Sequence, residues 1–306
     1  MRPSGYTLIF MTALISGFAI FVNKFGVQGF NPFLYTGIKN ALVAVVLLSV
    51  IIAFYWKKEL VKLNRKDWRD LFIIGAVGGS VPFLLFFYGL SITTAIEAAF
   101  VHKLMFLFVA VLAFIFLKER LTKKQIAASA GLLLGLFFLI GLPSTIDEGV
   151  LLILAATIFW SIENTFAKHV LKRLSGTMVA FGRMFFGSII ILAYLGITGE
   201  LFLVSAFTAE HWMWTFISVA FLFAYVMTWY NGLKTVKVSE ATAILILGSA
   251  LTAFLELSGL TPEKFLGSLI IVLSIFFLVL ASTGSAAMIK KFVLLKKEAL
   301  YAIKRN

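Results

Sequence analysis

Long apolar runs, separated by short polar stretches, follow one another from the start of the chain almost to its end. A helix needs about 17 to 25 predominantly apolar residues to cross the hydrocarbon core of a bilayer. Ten runs meet this requirement, so the pattern predicts an all-α integral membrane protein with ten transmembrane helices. The predicted spans are 5–23, 32–55, 69–90, 91–117, 125–141, 149–167, 176–198, 211–233, 236–256 and 265–287.

The third and fourth spans are separated only by the hexapeptide GLSITT at residues 89–94. Its glycine, Gly89, and its hydroxyl residues, among them Ser91 and Thr93, are typical of a tight turn. We therefore predict a turn here. Counts of nine or eleven helices stay open, because the two apolar runs on either side are otherwise nearly continuous.

Composition agrees with a membrane protein and argues against catalysis. Of 306 residues, 61% are hydrophobic and only 13% are charged, more apolar surface than one water-soluble core can bury. The chain has no cysteine and three scattered histidines, so no metal or other cofactor is expected. It also lacks a phosphate-binding glycine loop and a Ser-His-Asp arrangement. We do not expect an enzyme.

The net charge of +13 is distributed unevenly over the loops. On one side of the predicted membrane the loops and termini hold 22 Lys and Arg residues, whereas the other side holds only Lys24 and Lys264. This asymmetry predicts cytoplasmic termini and a plasma-membrane location, and it explains the positive charge without nucleic acid as a partner. The basic tail, 289–306, either lies on lipid headgroups as an interfacial helix or is solvated.

The first five and last five spans share landmarks at a nearly constant offset. Gly89 corresponds to Gly232 and Glu97 to Glu240, in YGLSITTAIEAA and NGLKTVKVSEAT. Further matches are Lys24 with Lys168 and Lys39 with Arg183. Because each unit has an odd number of spans, the second unit, 146–288, is predicted to be inverted relative to the first, 1–145. Inverted repeats of this kind are typical of secondary transporters, whose substrate site lies between the halves.

These features resemble the EamA-type transporters of the drug/metabolite transporter superfamily. The resemblance covers nearly all of 5–287, through FAIFVNKFG and WSIENTFAKHV at the start of each unit and FLKERLTKKQIAASAGLLLG at the end of the first. It implies ten helices, cytoplasmic termini and transport of small organic solutes. The chain departs from the pattern near Phe106, where relatives often have a proline, and at LSGLTPEK, which replaces a glycine-glutamate ending.

Away from the span ends, seven residues with acidic or basic side chains lie inside the predicted spans: Lys39, Glu97, His102, Lys103, Glu163, Arg183 and Glu240. A charged residue costs about 2.5 kcal/mol or more at a helix centre, so each is expected to have a partner or a function. From matched depth we predict the ion pairs Glu97 with Lys39 and Glu240 with Arg183. Such pairs either are static or act as two gates that open alternately.

The predicted substrate site is asymmetric, because His102 and Lys103 have no ionisable counterpart in the second unit. Neighbouring helical residues point about 100° apart, so we expect only one of the two to face the cavity. Lys103 is expected to bind a carboxylate or phosphate, or to pair with Glu163. The remaining predicted substrate-binding residues are aromatic or polar: Trp160, Asn164, Tyr225 and Trp229. An interfacial location for Trp229 stays open.

We predict a carrier that moves small polar organic metabolites, with amino acids or related zwitterions as the leading class, by alternating access. Export or exchange is expected. The alternatives are an anion exchanger for phosphorylated metabolites, a lipid-headgroup translocase or a membrane scaffold without transport. The GLLLG motif at 131–135 is suited to packing against a helix or against a second protomer, so a homodimer is possible.

Overall fold

The computed structural model describes residues 3–26, 31–56, 59–142, 146–255 and 261–303, and its regular elements are all helical. Two short 3₁₀ turns, Leu60–Lys62 and Glu200–Ala206, accompany the α-helices. The α-helices, in chain order, are α1 Gly5–Gly26, α2 Pro32–Tyr55, α3 Arg65–Gly79, α4 Val81–Ile92, α5 Ala95–Lys103, α6 Met105–Leu117, α7 Lys123–Ile140, α8 Glu148–Val170, α9 Gly176–Ile197, α10 Ala209–Leu233, α11 Val238–Ile244, α12 Leu247–Leu255 and α13 Pro262–Ile303.

Ten helical segments of the described chain are long and apolar enough to cross a membrane, which confirms the predicted number. They coincide with the predicted spans to within a few residues. Three of the segments consist of two helices each: α3 with α4, α5 with α6, and α11 with α12. The last helix, α13, continues past the tenth segment to Ile303, and residues 304–306 of the basic tail lie outside the described part.

The breaks within segments have different local causes. Between α3 and α4 the Ser80 hydroxyl donates to the Ala76 carbonyl oxygen at 3.0 Å, and Pro82 follows in the first turn of α4. Between α4 and α5 lies the turn that GLSITT predicted, where Thr94 caps α5 and the Glu97 carboxylate accepts from its backbone amide. These are ordinary helix-breaking and capping arrangements.

The breaks in the fourth and ninth segments occupy corresponding positions in the two units. Leu104 separates α5 from α6, and Leu245 with Ile246 separates α11 from α12. In both, the chain tightens into 3₁₀ hydrogen bonds, from the Leu104 amide to Val101 at 3.1 Å and from the Ile246 amide to Ala243 at 3.2 Å. Neither site holds Gly or Pro. Discontinuous helices of this kind are typical of carrier substrate sites.

Two of the closest helix contacts involve glycines that correspond in the sequence comparison of the two predicted units. The first segment packs on the eighth through Gly5 and Gly232, and the sixth packs on the third through Gly149 and Gly89. The two pairs consist of corresponding positions in the two units. A Cβ on Gly149 would lie 2.6 Å from the Gly89 carbonyl oxygen, so only glycine permits this approach. The pairs α2 with α9 and α7 with α13 complete the bundle.

The GLLLG motif packs within the chain itself. A Cβ on Gly131 would lie 2.3 Å from the Ser274 hydroxyl oxygen, and one on Gly135 would lie 2.6 Å from Ile271. Both partners belong to α13. The motif therefore joins the fifth segment to the tenth, and homodimer formation stays a prediction.

The bundle has two ends, which we name for use below. The termini face is the end that holds Tyr6, Gln125, Lys168 and Glu240, where Lys168 donates to the carbonyl oxygens of Leu233 and Val236 at 2.7 and 2.6 Å. The far face is the opposite end, where Ile140 ends α7 and Lys264 lies in the first turn of α13.

Candidate substrate site

The two helix breaks meet at a cavity of about 70 Å³ in the centre of the bundle, here called the central cavity. One wall comes from the break in the fourth segment and another from the break in the ninth, with single residues from α1 and α10 between them. The lining residues are Ser16, His102, Lys103, Met105, Phe106, Tyr225, Thr242, Leu245 and Ile246. A cavity at this position requires the breaks, because they interrupt two otherwise tightly packed helices.

Both His102 and Lys103 border the central cavity, so the expectation that only one of them would do so is wrong. The helix ends directly after Lys103, and the cavity follows the break rather than one face of a continuous helix. The His102 ring also packs against Trp160, with ring centroids 4.8 Å apart, and no described residue forms a hydrogen bond with its buried Nδ1 atom.

Lys103 lies within the fourth apolar segment and has no acidic partner among the described residues. No hydrogen bond or ion pair to its Nζ atom is found among the described residues. It also borders a second cavity of about 250 Å³, the far-face cavity, which extends from Lys103 to Lys264. Because Lys103 borders both cavities and has no acidic partner in the described part of the chain, it is suited to bind an anionic group.

The acid expected to be available to Lys103, Glu163, is already paired with Arg183. An Nη1 atom of Arg183 lies 3.4 Å from a Glu163 carboxylate oxygen. Tyr230 joins them, because its hydroxyl donates to Glu163 at 2.7 Å and accepts from Arg183 at 3.0 Å. The Glu163 side chain is fully buried. Lys103 therefore does not pair with Glu163 in this structure.

A glycine makes room for this buried acid. A Cβ on Gly78 would lie 2.2 Å from the Glu163 Cγ atom, so any side chain at position 78 would displace the carboxylate. The indole of Trp160 uses the same glycine, since its Nε1 donates to the Gly78 carbonyl oxygen at 3.0 Å. Gly78 is thus a required part of the site.

The other predicted binding residues contact one another and reach the central cavity through Tyr225. Trp229 donates from Nε1 to the Asn164 Oδ1 atom at 3.1 Å, and its ring stacks on Tyr225, which borders the cavity. Asn164 in turn donates to the Trp160 carbonyl oxygen at 2.8 Å. Trp229 and Tyr230 are 1% and 0% exposed, so the alternative of an interfacial location for Trp229 does not hold.

The predicted pair of Glu240 with Arg183 is wrong. Glu240 instead accepts a hydrogen bond from Gln125 Nε2 at 2.8 Å and another from the Tyr6 hydroxyl, and it lies 3.6 Å from the Lys237 Nζ atom. From the sequence, Glu163, Glu240 and Arg183 are all expected in the same half of the membrane. Depth alone therefore does not determine which of the two acids pairs with Arg183. Tyr6 and Gln125 were missed because neither is ionised.

The predicted pair of Glu97 with Lys39 is also absent. The Lys39 Nζ atom lies over the Tyr35 ring, 4.9 Å from its centroid, while Glu97 accepts from the hydroxyls of Thr93 and Thr94 at 2.9 Å each. Glu97 and Glu240 both occupy the first turn of a half-helix, α5 and α11. A carboxylate there is favoured by the helix dipole, and this explains why the two acids correspond.

A second acid-base cluster, which sequence reasoning missed, closes the termini face. Arg173, in the turn after α8, forms ion pairs with Asp67 and Asp70, one turn apart near the start of α3. Here it is called the Arg173 latch. The spacing of the two acids in KDWRD was the available signal, since i and i+3 side chains share a helix face.

The described residues contain no group of three or more His, Cys, Asp or Glu side chains arranged to hold a metal ion.

A bundle of ten apolar segments, with discontinuous helices around a charged central cavity, is the architecture of a membrane carrier. The sequence identifies which kind. The model of the EamA-like transporter family matches the chain twice, over residues 3–141 and 147–280. The chain belongs to the EamA-like transporter family of the drug/metabolite transporter superfamily.

Similar proteins are themselves described only as transporters. The chain is 25% identical to the uncharacterized transporter YyaM of Bacillus subtilis over 282 residues, covering 86% of this chain and 91% of that protein. It is 25% identical to an uncharacterized transporter of Archaeoglobus fulgidus, covering 90% and 98%. A solved crystal structure with 18% sequence identity has a TM-score of 0.76 over 92% of this chain and 98% of its own. That structural likeness shows a shared fold.

Proposed function

We propose that this transporter moves small polar organic metabolites that carry a carboxylate, with amino acids or related zwitterions as the leading class, by alternating access. It acts as an exporter or exchanger in the plasma membrane, with both termini in the cytoplasm. The uneven distribution of Lys and Arg over the loops supports this orientation.

The observation that carries the proposal is Lys103, a lysine in the membrane interior with no acid among the described residues. A carboxylate on the substrate supplies the missing negative charge while the site is occupied. Glu163 cannot supply this charge without losing its ion pair with Arg183 and the hydrogen bond that it accepts from Tyr230. The cost of an isolated charge in the membrane, about 2.5 kcal/mol or more, is offset by this binding.

The opposite wall of the central cavity suits the amino group of a zwitterion. Tyr225 offers an aromatic face, and a cation over such a face gains about 0.5 to 2 kcal/mol. The hydroxyls of Ser16 and Thr242 border the same cavity and can accept hydrogen bonds from an ammonium group. Its size, about 70 Å³, favours a compact substrate headgroup over a phosphorylated sugar.

Alternating access is supported by a difference between the two ends of the helix bundle in how far the cavities reach toward Lys103. At the far face a cavity of about 250 Å³ extends to Lys103. At the termini face the Arg173 latch joins α3 to the turn after α8, and the cavity of about 390 Å³ beside the latch shares no described lining residue with the central cavity. This corresponds to a conformation with access from the far face. In the opposite conformation the latch opens, so the latch takes the place of the gates predicted from Glu97 and Glu240.

Exchange of phosphorylated metabolites is the second candidate, and Lys39 favours it. Its Nζ atom lies over the Tyr35 ring, and no ion pair or hydrogen bond to it is found among the described residues, so Lys39 is a second interior lysine without an acidic partner there. A doubly charged phosphate would use two such cations better than a carboxylate does.

Counterflow in proteoliposomes tests the proposal. Vesicles preloaded with one unlabelled compound are given a panel of labelled amino acids, the amines formed by removing their carboxyl groups, and phosphorylated sugars. We expect accumulation of amino acids and not of the matching amines. Accumulation of phosphorylated sugars alone would establish the second candidate, and accumulation of amines alone would overturn both.

A further inference from the structure

The far-face cavity adds two polar groups, Ser249 and Lys264, that the proposed site does not explain, and it shares Lys103 with that site. Lys103 forms its inner end, Lys264 lies near its outer end, and Ser249 of α12 lines the wall. The buried Oγ atom of Ser249 has no hydrogen-bond partner within the part of the chain that the structure describes. By contrast, the hydroxyl of Thr252, one turn further along α12, donates to the carbonyl oxygens of Gly17 and Gly248 at 3.0 and 2.9 Å.

The charge of this cavity has one sign. Both ionisable side chains among its described lining residues are lysines, and none of those residues is acidic. Lys264 is also one of only two Lys or Arg residues that the charge distribution assigns to this side of the chain. A cleft lined by charge of one sign raises the local concentration of the opposite ion and the rate at which it enters.

We propose that the far-face cavity is an anion-selective vestibule, in which Lys264 attracts the carboxylate of the substrate and the Ser249 hydroxyl donates to it as it passes between Lys103 and the far face, in either direction. This assigns Lys264 and Ser249 as specificity-determining residues. The identity of the cargo rests on the proposed function, whereas the selectivity of the vestibule for anions does not.

The absence of cysteine from the chain makes a direct test possible, because a single introduced thiol has no background. Ser249→Cys is reconstituted and treated from the far face with two thiol reagents of similar size. One is the anionic sulfonatoethyl methanethiosulfonate and the other is its cationic trimethylammonium-ethyl analogue. The ratio of the two reaction rates reports the sign of the local potential and cancels differences in thiol reactivity.

Ser205→Cys is the matched control, since Ser205 is exposed in the 3₁₀ turn Glu200–Ala206, before α10. We expect the anionic-to-cationic rate ratio at Ser249→Cys to exceed that at Ser205→Cys by about fivefold or more, from a unit charge within several ångströms at an effective dielectric constant near 20 to 40. Adding Lys264→Gln to Ser249→Cys should lower the ratio toward the control value.

Equal ratios at the two positions, or a ratio that Lys264→Gln leaves unchanged, would overturn the vestibule. Failure of both reagents to modify a correctly folded Ser249→Cys would do the same, because the cavity would then not be reached from the far face. If Ser249→Cys does not fold, Ala253→Cys replaces it, since Ala253 lines the same cavity.

Protection from labelling separates this inference from the proposed function. Amino acids and other small carboxylates are expected to slow modification of Ser249→Cys, whereas amines without a carboxylate are not. Protection by phosphorylated compounds alone would keep the vestibule and replace the carboxylate by phosphate. A high anionic ratio without protection by any carboxylate or phosphate would refute delivery of the cargo to Lys103, even if exchange were observed.

Discussion

Arg183 of α9 lies 3.4 Å from Glu163 of α8, and the Tyr230 hydroxyl bonds to both. None of the three residues is among the described lining residues of the central cavity, whereas Tyr225, which stacks on Trp229, is. Because Glu163 and Arg183 pair with each other, Lys103 is the residue of the cavity lining that is available to bind a charged group of the substrate. The proposed selectivity of the site for a carboxylate follows from this arrangement.

The first prediction concerns this ion pair. Replacing Arg183 with Met leaves a buried carboxylate without its cation, and breaking a buried pair costs about 3 to 5 kcal/mol. Arg183→Met and Glu163→Gln alone should each lower the thermal unfolding midpoint strongly in detergent. The double variant should lose less than the sum of the two losses. Strictly additive losses would show that the pair contributes no coupling.

The second prediction concerns the space for Glu163. Gly78→Ala places a Cβ 2.2 Å from the Glu163 Cγ atom and should destabilise the protein by about 1 to 3 kcal/mol, as overpacking does. The matched control is Gly196→Ala in α9, where a Cβ would meet nothing within 4 Å. Equal unfolding midpoints for the two variants would contradict the packing described for Gly78.

The third prediction tests the Arg173 latch as a gate. Asp67→Cys and Arg173→Cys, combined in a chain without other cysteines, can be joined by a short bifunctional thiol reagent. If the latch must open during transport, cross-linking should stop counterflow, and reduction of a disulfide-forming cross-linker should restore it. Each single-cysteine variant treated with the same reagent is the control. Undiminished counterflow in the cross-linked double variant would remove the latch from the mechanism.

The transmembrane segments could be predicted from the sequence because their signal is local. Apolar length fixed the spans, and GLSITT contained the glycine and hydroxyl residues that a turn requires. The breaks at Leu104 and at Leu245 with Ile246 could not be predicted. Neither break falls on a Gly or Pro, and the Gly248 that follows the second one has no counterpart beside Leu104, so the sequence holds no common signal for the two.

Which residues belong to the site could be predicted from the sequence better than which of them pair with each other. Burial cost singled out Lys103, Glu163 and Arg183, because ionisable residues are rare in membrane spans. Which acid meets which base depends on the rotation of each helix about its axis, and the apolar sequence leaves that rotation undetermined. From the sequence, Glu163 and Glu240 are both expected in the same half of the membrane as Arg183. In the structure Glu163 pairs with Arg183, and Gly78 leaves the space that the Glu163 side chain occupies.

The central claim, that Lys103 binds the carboxylate of the substrate, is tested most directly by the concentration dependence of counterflow for one labelled amino acid. Wild type is compared with Lys103→Gln and Lys103→Arg. A hydrogen bond to a charged group contributes about 1.5 to 3 kcal/mol, so Lys103→Gln should raise the half-saturating concentration about ten- to a hundredfold. Lys103→Arg should retain part of the affinity. An unchanged half-saturating concentration in Lys103→Gln would contradict the claim.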